Sequence, residues 1–261
     1  MTLIKKSIES GVATVTLCRS EKRNALSREL LRQLSSAVSE ALDDSRTRVL
    51  VLQAEGKVFC AGMDLSEMQA RAESADGQQE WMQDSKDYCE LLVTLYSASV
   101  PSIAALQGPV LAGGVGMVLA CDFVVAVEDA FIALPEPQRG ITAAMVTPLL
   151  VHRIGAGRAG HLLLSGRRQS AADAAKSGLV YEVVSPDSLV DSVKSLTESI
   201  RMGSPEALAT TRRHLDEMGG HDLVTRIRQS IEVSASARAS DDAREGLAAF
   251  LEKRQPKWQN E

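Results

Sequence analysis

Three short stretches carry residues whose types and spacing suit chemistry. The first is Cys60-Ala61-Gly62-Met63, which follows an apolar, strand-like run. The second is Ala112-Gly113-Gly114, inside the stretch 108–122, where a strand-like run joins an apolar, helix-like run ending at Cys121. The third is Glu136, set between Pro135 and Pro137. A helix start leaves backbone N–H groups without intrahelical partners, and glycine there lets a ligand approach the main chain. Those N–H groups and the positive helix end favour negative charge. One reading of Gly113, Gly114 and Gly116 is therefore a backbone site for an anion, or for a carbonyl oxygen that gains charge. The other is a helix packed tightly on a sheet, with glycine for lack of space. Two N–H groups meeting at the carboxyl ends of parallel strands would hold one oxygen as it becomes an enolate oxygen. In known sites such donors are worth about 2.7–4 kcal/mol each. Glu136 would then give or take a proton. Its other reading is a surface carboxylate whose flanking prolines hold the backbone out of helix.

Other chemistries lack their residues. The chain has no GxxxxGK(S/T), no GxSxG, no HExxH and no CxxC. AGGVGMVLA lacks the third glycine of a dinucleotide fingerprint and follows no N-terminal βαβ start, so nicotinamide binding is not expected. His152, His161, His214 and His221 are dispersed, and the last three sit in polar-flanked helical segments that suit surface positions. Cys18, Cys60, Cys89 and Cys121 lack metal-type spacing and read as small apolar residues in a reduced, cytoplasmic setting. No metal site is expected. A net charge of -5 and 3% aromatic residues point away from nucleic acid and from anionic membrane surfaces. No apolar run is long enough for a membrane span, and the N-terminus reads as a first strand, not a signal peptide.

The elements that must position these residues follow from periodicity. The 261 residues suit one large domain or a domain with an appendage. A strand is predicted at 11–18, then a helix capped by Ser27 with Leu30, Leu31, Leu34, Val38 and Leu42 on one face, then a buried strand at 48–53. That β–α–β opening marks an α/β fold with a parallel sheet. Residues 69–80 are polar and read as a mobile loop or lid. A helix with Trp81, Tyr88, Leu91, Leu92 and Leu95 precedes a strand at 102–107. Short strands follow at 123–127 and 131–134. A helix at 142–154 is expected to break or kink at Pro148, and another closes at Gly178 before a strand. From Leu189 the period is helical, with Pro205 starting one helix and Gly219-Gly220 ending it. The chain therefore divides coarsely into an α/β body, 1–195, and a helical C-terminus, 196–261.

With these elements in place, the residues resemble the crotonase (enoyl-CoA hydratase/isomerase) superfamily. GKVFCAGMDLSEM resembles its first signature, and ALQGPVLAGGVGMVLACDFVVA followed by ALPEPQRGI resembles its second. RNALS and EGLAAFLEKRQPKW also fit, so the resemblance spans nearly the whole chain. It implies a crotonase-like ββα spiral with a C-terminal helical trimerisation region, assembled as a homotrimer or a dimer of trimers. The implied substrate is an acyl-CoA thioester, with CoA as part of the substrate and no separate cofactor. By motif position, the thioester oxygen would sit between the N–H groups of Met63 and Gly113, with Gly114 beside them. Ala61, Gly62, Met63, Asp64 and Leu65 would lie along the adenine and pantetheine. Arg23, Ala25 and Leu26 would line the CoA mouth. Phe250 and Lys253 would reach the nucleotide, from a neighbouring subunit.

One departure matters. Two-glutamate hydratases carry one carboxylate in the helix after the Gly-rich turn, and the matching position here is Gly116. The other carboxylate matches Glu136, which is present. One group must then handle the proton transfers. A lone glutamate there recurs in double-bond isomerases and in hydratases of branched, carboxylated enoyl-CoAs of the methylglutaconyl type, which GGVGMVLACD and GITAAMVTPLLVHRIG resemble. It also recurs in a hydratase–lyase acting on feruloyl-CoA. The resemblance thus implies hydration of a 2-enoyl-CoA, branched or carboxylated or neither. The alternatives are Δ3–Δ2 isomerisation and a non-catalytic acyl-CoA-binding protein.

Overall fold

The computed structural model describes residues 2–72, 74, 76–219 and 222–259. Gly220 and His221 lie outside the described residues. The chain opens with a hairpin, β1 (Ile4–Glu9) and β2 (Val12–Leu17), turned at Ser10-Gly11 with φ of 48 and 80°. One strand was expected here. β1 is a sheet edge whose Lys5, Lys6, Ser7 and Glu9 face solvent or lie near it, so its sequence lacks the alternation that marks β2. Helix α1 (Arg28–Asp43) starts as predicted: Leu30 N–H donates to Ser27 Oγ at 3.2 Å. Leu30, Leu31, Leu34 and Val38 are buried and Leu42 packs against the core beside them.

Strand β3 (Val49–Ala54) is followed by α2 (Leu65–Ala72) and α3 (Gly77–Tyr96). The expected lid at 69–80 is thus mostly helix. Met68 and Trp81, which flank it, form a small second core with Ala235 and Leu247 from the far end of the chain, so no local period revealed it. Next come β4 (Ser102–Leu106), β5 (Val110–Leu111), α4 (Gly113–Ala120), β6 (Phe123–Val127) and β7 (Phe131–Ala133). Glu136–Arg139 form one 3-10 turn ended by Gly140 at φ 66°, so the prolines permit a tight turn rather than excluding helical backbone. Helix α5 (Val146–Ser165) begins late enough that Pro148 falls in its first turn, where its missing N–H costs nothing. The break comes instead at Gly155, with φ 74° and ψ 159°. Then come β8 (Gln169–Ser170), α6 (Ala171–Ser177) closed by Gly178, β9 (Glu182–Val184), α7 (Leu189–Arg201), α8 (Pro205–Gly219), α9 (Leu223–Arg238) and α10 (Asp241–Leu251).

The strands form two sheets. Six strands pair in the order β1-β2-β3-β4-β6-β9, parallel except for β1 with β2. Their apolar runs are buried on both faces, as parallel sheets require. The second sheet, β5-β7-β8, sets the site. Its register pairs Val110 with Ile132 and Leu111 with Ala133, so the chain leaves β5 toward Gly113 and β7 toward Glu136 from neighbouring positions.

The C-terminal helices close over this end of the sheets. Helix α9 packs on α3, with Ile227 in the main core and Ser85 Oγ 3.2 Å from Ser234 Oγ. Helix α10 packs on α2 and on the 136–139 turn. The approach is close enough that a Cβ at Gly246 would lie 2.3 Å from the carbonyl carbon of Arg139. Gly246→Ala is therefore expected to lower stability by about 1–3 kcal/mol through forced backbone movement. A shift in the urea midpoint at unchanged m-value checks this; an unshifted midpoint contradicts the packing described.

Candidate active site

Two N–H groups lie at the centre of the site. A parallel bridge joins Leu26 to Met63, with Leu26 N–H donating to Gly62 O (2.8 Å) and Asp64 N–H donating to Leu26 O (3.1 Å). In such a bridge the bonds run to the residues on either side of Met63, so its own N–H faces the opposite way. Gly113 is the first residue of α4, where no intrahelical acceptor exists for its N–H. Among the described residues neither N–H has a recorded acceptor. Gly62 brings the two turns together: a Cβ on it would lie 2.6 Å from Ala112 Cβ and 3.4 Å from Gly113 N. Its φ of +88° also suits glycine.

Glu136 faces the same cavity. The cavity is lined by Ala61, Met63, Leu65, Gly113 and Glu136, and by an apolar wall running from Ile141 to Val146. The Glu136 side chain is buried, and Oε2 has no hydrogen-bond partner. Burial pushes its carboxyl up to about 7, opposed by its own backbone N–H and by the Arg139 and Arg238 charges. A carboxyl poised near neutrality can both take and return a proton.

Tyr88 was legible only as a helix-face residue, yet it stands beside both turns. Its hydroxyl donates to Gly113 O, and burial keeps it protonated by raising its pKa. A Cβ at Gly116 would fall 2.2 Å from that hydroxyl oxygen and 3.3 Å from Leu92 and Val146 side-chain atoms. The space of a residue-116 side chain is therefore filled by Tyr88. Asn24 was also missed. It is fully buried, accepts Arg19 N–H at 2.9 Å, and donates to Glu55 O (2.9 Å) and Val58 O (2.8 Å). With φ of 53 and 52°, Arg23 and Asn24 shape the loop that delivers Ala25 and Leu26 to Met63. An asparagine just before a helix cap was the available signal.

The remaining predicted positions separate by what surrounds them. Gly114 is glycine for lack of space: a Cβ there would lie 2.8 Å from Cys60 Cβ. The Asp64 carboxylate accepts Ser66 N–H (3.0 Å) at the start of α2 and pairs with Arg19 at 2.7 Å. Burial pushes the Asp64 carboxyl up, but Arg19 and the backbone donors hold it below its ordinary range. Ala25 and Leu65 are half-buried, and Arg23 and Lys253 are exposed. Phe250 lies under the Arg139 guanidinium of its own chain, 3.9 Å from ring centroid to guanidinium carbon. Cys60, Cys89 and Cys121 are buried as expected, whereas Cys18 is only half-buried; His161 and His214 are exposed. No helix among the described residues is long and apolar enough to cross a membrane.

Comparison with known proteins places this geometry. The profile of the enoyl-CoA hydratase/isomerase family matches residues 7–261. A Thermus thermophilus protein named as an enoyl-CoA hydratase is 35% identical over 252 residues, covering 96% of this chain and 99% of the relative. The 2,3-dehydroadipyl-CoA hydratase of Escherichia coli is 32% identical, covering 96% of each. The crystal structure of an enoyl-CoA hydratase from Mycobacterium avium matches with a TM-score of 0.86 at 31% identity, covering 99% of each chain.

The raised Glu136 carboxyl has a consequence for folding. It titrates near 4.5 unfolded and near 7 folded, so the fold holds its proton more tightly. Stability from this group is complete below the unfolded value and is lost as pH rises toward 7, a deficit of about 3 kcal/mol above that. Glu136→Gln is expected to be more stable than the parent at pH 8 by about that order, with little difference near pH 4.5. Equal stability in urea at pH 8 would mean that the carboxylate is not desolvated.

Proposed function

Because this chain belongs to the enoyl-CoA hydratase/isomerase family, we propose that it hydrates a 2-enoyl-CoA thioester with Glu136 as the one acid–base group. The observation that carries this reading is the pair of unpaired N–H groups, Met63 and Gly113, in one cavity with an unpartnered Glu136 Oε2. The thioester oxygen accepts both N–H bonds. The Glu136 carboxylate takes a proton from water as the water oxygen adds to the β-carbon, and the π electrons move onto the thioester oxygen as an enolate. Protonated Glu136 then returns the proton to the α-carbon, and the enolate collapses to the 3-hydroxyacyl thioester. The two donors act where charge develops, so their contribution falls on the transition state. CoA as carrier and the N–H pair make the α-position labile, so the scheme uses no separate cofactor.

Binding of the carrier belongs to the same proposal. Ala61 to Leu65 run beside the pantetheine and adenine, Arg23, Ala25 and Leu26 line the mouth, and Phe250 and Lys253 meet the nucleotide. Assembly as a homotrimer or dimer of trimers is supported by large apolar side chains left exposed on α5, α7 and α8, among them Leu164, Val190 and Leu215. Three buried, unpaired cysteines suit a cytoplasmic setting.

Absorbance of the conjugated thioester tests the reaction. Loss of signal with a 2-enoyl-CoA is expected. Gain with a 3-enoyl-CoA instead would make the protein a Δ3–Δ2 isomerase, in which Glu136 carries a proton between the α- and γ-carbons. CoA-ester binding without either change would make it a non-catalytic binder. Glu136→Gln should lower kcat by about 10²–10⁴-fold. The base is the ionised form, so kcat/KM should rise with pH to a plateau, with its limb at about 7, and a flat profile would remove Glu136 from the chemistry. Tyr88→Phe, which loses the bond to Gly113 O, should lower kcat about tenfold with KM little changed.

A further inference from the structure

The cavity also holds a cation that the hydration scheme does not use. Arg238, the last residue of α9, lines the wall shared by the Glu136 cavity and a smaller recess bounded by Met68, Trp81 and Asp84. It is half-buried; desolvation lowers its pKa, against Asp84, Tyr88 and Glu136, which raise it. Among the described residues no carboxylate lies within ion-pair distance of it, and it makes no recorded hydrogen bond. Its guanidinium carbon lies over the face of Trp81, 5.8 Å from the ring centroid.

The nearby acids are already engaged. Asp84 is held by Arg28 Nε at 2.7 Å and by Arg71 Nε at 3.0 Å. Glu80 faces the same two arginines at 3.3 and 3.9 Å. Glu67 faces Arg71 at 3.7 Å and accepts Arg28 N–H at 3.0 Å. On the cavity side Tyr88 is a neutral hydroxyl, and Glu136, its carboxyl raised to about 7, makes no ion pair with Arg238. Arg139, the other guanidinium of the cavity, lies on Phe250 and feels the charge of Arg23, on the side assigned to the carrier.

Arg238 is half-buried, and a guanidinium in a partly desolvated wall with no carboxylate at ion-pair distance gains from an arriving anion. The surrounding wall is mostly apolar, with Met68, Ile141, Ala143, Met145 and Val146 beside the hydroxyls of Thr142 and Ser234. Such a wall suits the methylenes of an acyl chain, and the planar guanidinium fork suits a carboxylate. We propose that Arg238 binds a carboxylate on the acyl chain, making this a site for carboxylated acyl-CoA thioesters. The inference deepens the hydratase reading and rests on it for the placement of the thioester. An uncharged tail leaves Arg238 half-buried and without an ion pair, so discrimination falls on the charge of the tail more than on its length.

Calorimetric titration of the intact protein with adipyl-CoA and with hexanoyl-CoA tests this without requiring turnover. The parent should bind adipyl-CoA about 10- to 100-fold more tightly, the worth of a hydrogen-bonded charge pair. Arg238→Met should abolish that preference while leaving the hexanoyl-CoA Kd within about threefold. Arg238→Lys keeps the charge and should restore part of the preference, and it serves if the Met variant fails to fold. Equal or weaker binding of adipyl-CoA by the parent overturns the proposal, as does a preference that survives in Arg238→Met. If the preference holds but no 2-enoyl-CoA is hydrated, only the hydratase reading falls. If 2-enoyl-CoAs are hydrated but the preference is absent, only the Arg238 site falls.

Discussion

The site depends on how closely two backbone turns approach each other. Gly62 and Ala112 are within a methyl group of collision, and nothing larger than glycine fits at 62. Ala112 itself is held at φ 52° and ψ −129°, a glycine-type conformation that costs a residue with a side chain about 1–3 kcal/mol. The surrounding bonds enforce it. Leu111 N–H donates to Cys60 O, Ala112 N–H to Ala133 O, and Val115 N–H to Ala112 O, each at 2.9 Å. The strain leaves Gly113 N–H at the cavity rather than in the sheet, and the Leu26–Met63 bridge does the same for Met63. Neighbouring donors such as Leu111, Ala112 and Val115 N–H are thus taken up by the backbone, while those of Met63 and Gly113 are left facing the cavity.

The same enclosure makes Glu136 a poor residue for stability and a suitable one for proton transfer. Removing it from water raises its carboxyl toward neutrality, which weakens the fold at alkaline pH and matches a base to its working range. Tyr88 adds to the enclosure. It fills the space beside Gly116, ties down the Gly113 carbonyl, and stays neutral, so no second carboxylate competes with Glu136 for the proton. Helices α9 and α10 complete the roof. They bring Arg238 to the cavity wall and hold the 136–139 turn through the contact at Gly246.

The sequence showed the parts of this arrangement that depend on local pattern. Ser27 as a cap, the apolar face of α1, the buried strands, and the two glycine turns were all readable from spacing. What it hid depended on distant partners. The 69–80 stretch is mostly helix because Ala235 and Leu247 supply the apolar contact for Met68 and Trp81 on either side of it. Strand β1 escaped because an edge strand shows little alternation. Pro148 misled because its effect depends on where the helix begins, which Met145 and Val146 decide. Asn24 and Tyr88 carry chemistry of position, three buried hydrogen bonds in one case and an occupied space in the other. Tyr88 has no sequence signature of its own, and Asn24 only its place ahead of the Ser27 cap. Gly116 could be seen to lack a carboxylate, but not that Tyr88 stands in its space.

The proposed hydration turns on Met63 and Gly113 polarising one oxygen. The direct measurement is the thioester carbonyl stretch of a 13C-labelled 2-enoyl-CoA bound to the Glu136→Gln variant, by difference infrared spectroscopy. Two N–H bonds to the oxygen predict a band at lower wavenumber than for the same thioester in water. A band at or above the position in water would mean that the oxygen does not sit between these two groups, and the account would be wrong.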